Sequence, residues 1–453
     1  MIISCRFSGA IRSLMGGVLC CLVVACGPET APPALKIEQP AAPETVVVPE
    51  PQAQEDVKPE GPRQVKIGLL LPLSGREQLV GKDLFAAASM ALFDAYDPRI
   101  ELLSFDTGGT VSGAEIAADA ALNAEVDVII GPLLAENVTR VAAITRGSDV
   151  PILGLSSDSE AAEPGVYVMG FLPEAEVKRI IDYAASMQAV KFSAMIPDSR
   201  YGMRVREAFG DAVFDVGGRI HSLETYPNDP EAVVEPIKRL ADYDERRKNH
   251  IDEIRFLRSL GDDMTNEIAN RLATREVSES PDIDAILLPE GGGLLRTLAP
   301  LLPFYEVDLD EVKLLGTGLW YDESLTNEPP LRGAWFAAPA NPGVTDFLER
   351  FERDIGRAPS RVATLAYDAV SLIAILTREA DLTGPDRPIT NAKLMNPNGF
   401  QGIDGLFRLL PDGTNERTLS VLEITKDGFK VLDPAPAAFP LFGYEVTETA
   451  TVE

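Results

Sequence analysis

Cysteine is nearly missing from this 453-residue chain, and all four copies (Cys5, Cys20, Cys21 and Cys26) fall within the first 26 positions. The rest of the chain is free of thiols, which excludes a disulfide framework and any thiolate metal site in the body. Histidine is almost as scarce: His221 and His250 are the only two, and they lie far apart in sequence. No H-E-x-x-H or His/Cys metal spacing and no G-x-S-x-G elbow occurs, so no cofactor, metal or catalytic residue is expected and the enzyme reading is poor. Gly75, Gly81, Lys82 mimic a phosphate loop, but the glycines stand one residue too far apart. Asp83 also occupies the place of the magnesium-binding hydroxyl and would repel phosphate. Positive charge is short as well. Lys and Arg number 41 against 70 Asp and Glu, a net charge of −29. That balance argues against nucleic acid and against docking on anionic lipid through protein charge.

What is present begins at the N-terminus. Arg6 and Arg12 are the only charges before position 26, and Leu14 to Ala25 is apolar or small. A positive start, an apolar run of ~12 residues and small residues at the cut are the layout of a secretory signal. The run is too short for a spanning helix, which needs ~20 residues. Val23-Val24-Ala25-Cys26-Gly27 resembles a lipobox. The reading is a signal peptide over 1–25 and a lipidated Cys26; its competitor is an ordinary signal with a chance cysteine. Lipidation places the protein on the periplasmic face of a bacterial membrane. Gly27, in place of aspartate, favours the outer membrane over the inner. Residues 26–63 then form a tether, with nine prolines and seven acids in 27–63. Such a segment buries too little to offset its ordering entropy and is expected to be disordered. Extended, it reaches on the order of 100 Å, as a passive spacer or as a device that lets the body stand away from its membrane.

The body, 64–435, precedes a C-terminal tail, 436–453. Apolar residues make up 45% of the chain, enough for a large core. VKIGLLLPLSG (65–75) is a fully apolar strand running into a Pro/Gly loop, the pattern of a buried parallel strand. Helix, strand and helix then alternate: 82–96, 101–107, 112–125, 126–132, 136–146, 150–157. A second series runs from Lys191 through a helix at 201–214, with the sheet continuing near 219–226, 282–293 and 312–320. AWFAAP (334–339) reads as a crossover strand, and helices follow at 343–355 and 360–379. GLFRLL, a DG turn and LSVLEIT read as a terminal hairpin or short antiparallel pair. This alternation predicts an α/β fold with parallel sheets flanked by helices.

PLSG (72–75), VIIGP (128–132), VPILGLSS (150–157), PDSRYG (197–202) and LAYDAV (365–370) stand in the order seen in type I periplasmic binding proteins, the leucine/isoleucine/valine-binding class, and the chain resembles that family over about 65–433. The resemblance implies two lobes joined by crossovers around a cleft. Lobe one is expected over 65–189 and 340–398, and lobe two over 190–339 and 399–433. The longer strings IGLLLPLSGR, IIGPLL, ILLPEGGG, LLGTGLW and LFRLLPDGTNERTLSVLEI resemble the penicillin-binding protein activator (LppC/LpoA-like) branch. That branch implies a non-catalytic lipoprotein that docks on a peptidoglycan synthase. Its better-studied members carry an N-terminal helical-repeat domain where this chain has a bare linker.

In the amino-acid-binding family, hydroxyls and backbone amides of two loops hold a ligand carboxylate, and an acid of the other lobe holds the ammonium. Here the first loop, 131–137, offers Leu133, Leu134, Ala135 and Glu136; Glu136 is either a ligand or a first-turn acid facing the helix dipole. Ser156 and Ser157 either bind an anion or finish the strand and cap the next turn. Gly316-Thr317-Gly318 lacks the expected acid, and Glu290 is the nearby substitute. Ser74, Tyr201 and Trp320 complete the candidate cleft, with core packing as the alternative for Tyr201 and Trp320. The partly dismantled amino-acid pocket favours a synthase partner over a small solute carried to an ABC importer, which stays the alternative. The charged stretch 231–278 reads as a helical insert, either a solvated face or a protein-docking surface.

Overall fold

The apolar run of Val65–Leu71 (β1), broken only by Lys66, places this strand in the middle of a sheet, because such a strand must cover both faces. In the computed structural model all of β1 except Lys66 is buried. The structure describes residues 63–439, apart from 278, 385 and 386. The expected signal peptide, Cys26, the tether before Arg63 and the tail beyond Phe439 lie outside the described residues.

The first sheet alternates strand and helix: α1 (Gln78–Ala95), β2 (Ile100–Asp106), α2 (Val111–Asn123), β3 (Val128–Ile130), α3 (Ala135–Thr145), β4 (Ile152–Gly154) and β5 (Val166–Val168). Its order is β2-β1-β3-β4-β5, parallel throughout. One face is covered by α2 and α3. Ala114, Ala117, Ala118 and Ala121 form a small-residue stripe at helical spacing that packs with Leu70, Ile129 and Val138.

The second series continues with α4 (Pro173–Ser186), β6 (Lys191–Pro197), α5 (Arg200–Asp215), β7 (Arg219–Tyr226), α6 (Val234–Leu240), α7 (Tyr243–Leu260), α8 (Asp263–Leu272), β8 (Ala285–Leu287), α9 (Gly292–Phe304), β9 (Lys313–Gly316) and β10 (Trp335–Ala338). The chain then returns through α10 (Pro342–Ile355), α11 (Ala363–Glu379), α12 (Asn391–Leu394), β11 (Phe400–Gly402), β12 (Gly405–Leu409), β13 (Asn415–Arg417), β14 (Ser420–Thr425) and β15 (Gly428–Asp433). The second sheet runs β15-β14-β10-β9-β8-β6-β7. It is parallel from β7 to β10, with β14 and β15 added antiparallel. The first sheet's other face is covered by α1, α10 and α11. The result is an α/β body of two sheets flanked by helices. No described helix is long and apolar enough to cross a membrane.

Local chemistry explains the strand-to-helix turns. Gly81 and Gly202 lie in the first turns of α1 and α5, and an added Cβ would stand 2.0 Å from the Pro72 carbonyl and 1.8 Å from the Pro197 carbonyl. Only glycine lets these helices approach their strands so closely. Ser199 caps α5, its Oγ accepting from Gly202 N–H at 3.0 Å. Ser199→Ala should cost about 1 kcal/mol, read as a lower urea midpoint with unchanged slope.

Several expectations need correction. GLFRLL and LSVLEIT do not pair: β12 lies between β11 and β13, while β14 joins β10 and β15. The 334–339 strand, β10, is an interior strand of the second sheet. Helix α4, placed with lobe one, buries Val177, Ile180, Ile181 and Ala184 against Phe192, Leu315 and Ala337 of the second sheet. Conversely Phe400, Phe407 and Leu409, placed with lobe two, join the core of the first. The 231–278 segment is not a uniform insert. Val233, Ile237 and Leu240 of its first part lie in the second lobe's core, whereas α7 and α8 bury only Tyr243, His250 and Ala269.

Candidate functional site

Strand ends and helix starts of the two lobes face each other across one cavity of about 610 Å³. The first lobe contributes Leu133, Leu134, Leu155, Ser156 and Ser157 beyond β3 and β4, and Arg361, Val362 and Leu365 at the start of α11. The second contributes Pro173 and Glu176 of α4, Tyr201 of α5, and Gly318, Leu319 and Pro339. Most of this wall is aliphatic, which suits a cavity that excludes water.

The structure therefore brings Ser156, Ser157 and Tyr201 together at the cavity. The Ser156 Oγ accepts the Asp158 N–H at 3.0 Å, as in the strand-finishing alternative. Tyr201 Oη lies 3.3 Å from Thr317 Oγ1. Burial, with the Glu176 carboxylate nearby, pushes its hydroxyl far above the usual range. Ser74, Glu290 and Trp320 do not line the cavity. Ser74 is exposed, and its N–H points to Asp106 Oδ1 at 3.2 Å, with Leu73 N–H at 2.9 Å and Gly108 N–H at 2.8 Å on the same oxygen. The Ser74 hydroxyl foremost, with these N–H groups, holds Asp106 below the ordinary carboxylate range. Glu290 accepts from Tyr226 Oη at 2.9 Å and from Gly291 N–H at 3.0 Å. Trp320 is fully buried and donates Nε1–H to the Glu290 carbonyl at 2.9 Å, so the core reading holds. Asp83, the residue that spoiled the phosphate loop, is buried, paired with Arg357 and accepting from Ser360 N–H at 2.8 Å. Glu136 sits in the first turn of α3.

Two charged residues at the cavity were not singled out from sequence. Glu176 is buried, and its Oε2 accepts the Gly318 N–H at 3.0 Å. A Cβ on Gly318 would stand 2.4 Å from Glu176 Oε1, so glycine is needed there. Burial raises the Glu176 carboxyl to about 7, opposed by the Gly318 hydrogen bond and by Arg361. Arg361 donates Nη2–H to Asp404 Oδ1 at 2.7 Å and lies over the Phe171 ring at 4.5 Å. Both residues were detectable in principle. Glu176 interrupts the buried stripe Pro173, Val177, Ile180, Ile181 of an amphipathic helix.

Behind Arg361 lies a fully internal cluster at the hinge. Asp404, Asp368 and Arg417 are all buried. Asp368 accepts Ile403 N–H at 2.7 Å. Arg417 donates to the Met169 carbonyl at 2.8 Å, and Asn415 Nδ2 to the carbonyls of Val168 and Gly170 at 2.8 and 2.9 Å. These bonds tie the β13 strand to the β5–α4 crossover. Asp368 Oδ2, Asp404 Oδ2 and two Arg417 nitrogens have no hydrogen-bond partner among the described residues. Burial, then the Asp404 carboxylate, raises Asp368 to about 7, while Arg417 pulls it back.

At the cleft mouth the lobes are bridged by ion pairs. The loop after β4 presents Asp158 and Glu160 to Arg200 at 3.2 and 2.6 Å, and Asp158 to Arg204 at 3.4 Å. Arg204 also holds Glu174 in a fork at 2.8 and 2.7 Å. Ser159 Oγ donates to the same carboxylate at 2.8 Å. Burial would raise Glu174, but these partners, Arg204 first, hold it below its ordinary range.

Comparison with known proteins agrees with this architecture. Residues 64–242 match the periplasmic binding protein family. A leucine binding protein from Thermotoga maritima superposes with a TM-score of 0.55 at 15% identity, covering 82% of this chain and 98% of that one. At this identity the likeness speaks for the fold. The penicillin-binding protein activator LpoA of Pasteurella multocida is 29% identical over 149 residues, 32% of this chain and 25% of that protein. An uncharacterized protein of Rickettsia prowazekii is 24% identical over 226 residues, 50% of this chain and 60% of that protein. The chain thus spans less than two thirds of the length of either curated relative. The resemblance to the activator branch, read from sequence strings, agrees with the Pasteurella match.

Proposed function

From the premise that residues 63–439 form a type I periplasmic-binding-protein body, we propose that this chain is a non-catalytic, lipid-anchored envelope protein that regulates peptidoglycan synthesis by docking on a synthase. One observation carries the proposal: both charged residues of the cleft wall are already engaged within the chain. Glu176 is bonded to Gly318 and Arg361 to Asp404. An amino acid brings an ammonium and a carboxylate, and burying either without a partner costs several kcal/mol. The lobes are also bridged by the chain's own Arg200 and Arg204 pairs, so closure needs no solute to hold it. The likeness to the Pasteurella activator supports the same reading. The tether and the lipid on Cys26 let the body reach a synthase in the periplasm from the membrane that anchors it.

The apolar cavity with Ser156 and Ser157 on its wall favours a second reading, a solute receptor for an importer. Two assays separate them. The purified lipoprotein is added to each of a panel of purified penicillin-binding proteins, and glycan polymerisation and cross-linking are followed. Several-fold stimulation of one synthase is expected. Separately, the same protein is melted with amino acids and small organic acids. A ligand at 100 times its Kd stabilises by about 2.7 kcal/mol and shifts melting by a few degrees. Such a shift, with no synthase bound or stimulated, would overturn the proposal in favour of the receptor.

A further inference from the structure

We propose that the outward face of α7 is the surface that docks the partner, and that it recognises an acidic protein surface. The inference rests on the regulatory reading and adds to it the place and the chemistry of contact.

The hairpin of α7 and α8 differs in charge from the rest of the molecule. Residues 243–275 hold seven Lys or Arg and seven Asp or Glu, so the net charge of −29 is carried entirely elsewhere. The cations are also grouped. Arg247, Arg255 and Arg258 recur at i, i+8 and i+11, on one side of the helix with Ile251 at i+4 between them. All four side chains are exposed. Arg255 pairs only with Asp252 of its own helix, and Arg247 and Arg258 make no ion pair among the described residues. Ile251, within that row, stands 44% exposed, while the exposed Phe256 and Leu260 lie on the opposite side of the helix. Arginine is among the side chains that dominate binding energy at protein interfaces.

The hairpin is also built to be held still. Arg246 at its base donates to the carbonyls of Ala241, Glu279, Tyr305 and Glu306 at 2.6–3.1 Å. His250 Nε2 lies 3.0 Å from the Arg275 carbonyl, and Tyr243 Oη meets Glu276. The root of α7 is thus fixed by polar bonds, while the helix adds little to the core. A fixed cationic and apolar face on an acidic body fits a partner of opposite sign, and a face of this kind speeds encounter with it.

The experiment uses the full lipoprotein and its triple variant Arg247→Glu, Arg255→Glu, Arg258→Glu, with Ile251→Ser as a separate probe. All the substituted side chains are exposed, so an unchanged melting point is required before binding is read. Against the synthase that the parent protein binds, the triple variant is expected to lose at least tenfold in affinity and most of its salt dependence. Ile251→Ser is expected to lose several-fold. Unchanged affinity in both variants would overturn the surface and leave the regulatory reading standing. A parent protein that binds no synthase of the panel would overturn both. Two other occupants are tested directly: a charge-sensitive association with phosphatidylglycerol vesicles, or a charge-sensitive dimer by light scattering, either of them with synthase binding unaltered, would replace the acidic protein partner and overturn the proposal.

Discussion

Arg417→Ala is expected to destabilise the body by about 3–5 kcal/mol at pH 8, the usual result of leaving buried charge uncompensated. Arg417 is buried, and its environment is built around its charge. It lies against the rings of Phe407 and Phe171 at 4.9 and 5.2 Å. Asp404 and Asp368 supply the opposite charges. Without the guanidinium, two internal carboxylates share the single Arg361. The loss should shrink at pH 5, where the Asp368 carboxyl, raised by burial and by the neighbouring Asp404, is protonated and leaves one charge fewer to compensate. The double variant Arg417→Met, Asp404→Asn should therefore lose less than Arg417→Met alone, because it removes one charge of each sign. Denaturation midpoints at pH 5 and pH 8 test both statements. A loss below about 1 kcal/mol at pH 8 would show that the cluster contributes little. Loss of the Arg417 and Asn415 bonds to the 168–170 carbonyls would further free the crossover between the lobes.

The sequence made the sheets legible and left the hinge obscure, for a physical reason. Parallel strands buried on both faces are written as apolar runs, so β1, β3, β4, β6 and β8 stand out. Helices such as α1, α2 and α5 show their stripe within a few residues of the observed bounds. The returning segments do not announce their lobe. Helix α4 and strands β11 to β13 have ordinary periodicity, and only packing decides that α4 covers the second sheet while Phe400 and Phe407 fill the first core. The GLFRLL–LSVLEIT hairpin failed for the same reason. An alternating apolar pattern shows that a segment is a strand, and the identity of its neighbour comes from the tertiary fold.

The cleft was legible in part. Ser156, Ser157 and Tyr201 lie at it because a strand's carboxyl end and the first turn of a following helix face the crevice of an open α/β sheet. Glu290 and Trp320 come from the same kind of position, yet the indole fills the space beneath Gly316 and takes the Glu290 carbonyl with it. Glu176 and Asp368 were the stronger signs. Each is an acid inside an otherwise apolar helical face, and that conflict between local pattern and charge marks a site under special constraint.

Glu176 gives the clearest pH prediction. Its carboxyl stands near 7 in the folded chain against an ordinary value of 4.5. Between those values the folded state keeps a proton that the unfolded state releases, so this group's contribution is complete below pH 4.5 and falls as pH rises to 7. At about 1.4 kcal/mol per unit, the loss is about 3 kcal/mol across the window. Asp368 acts with the same sign. Carboxylates held low, such as Glu174 and Asp94, act in the opposite sense, adding stability that disappears as pH falls through their folded values. The wild-type curve alone therefore mixes the two. Glu176→Gln isolates the first: its amide oxygen still accepts the Gly318 N–H, and it does not titrate. The stability of the wild type minus that of Glu176→Gln should decline by about 3 kcal/mol from pH 4.5 to 7.5 and be flat above. Parallel curves would mean that Glu176 is ionised in the fold at neutral pH. The cleft would then hold a standing negative charge suited to an ammonium, and the solute-receptor reading would gain what the engaged wall now denies it.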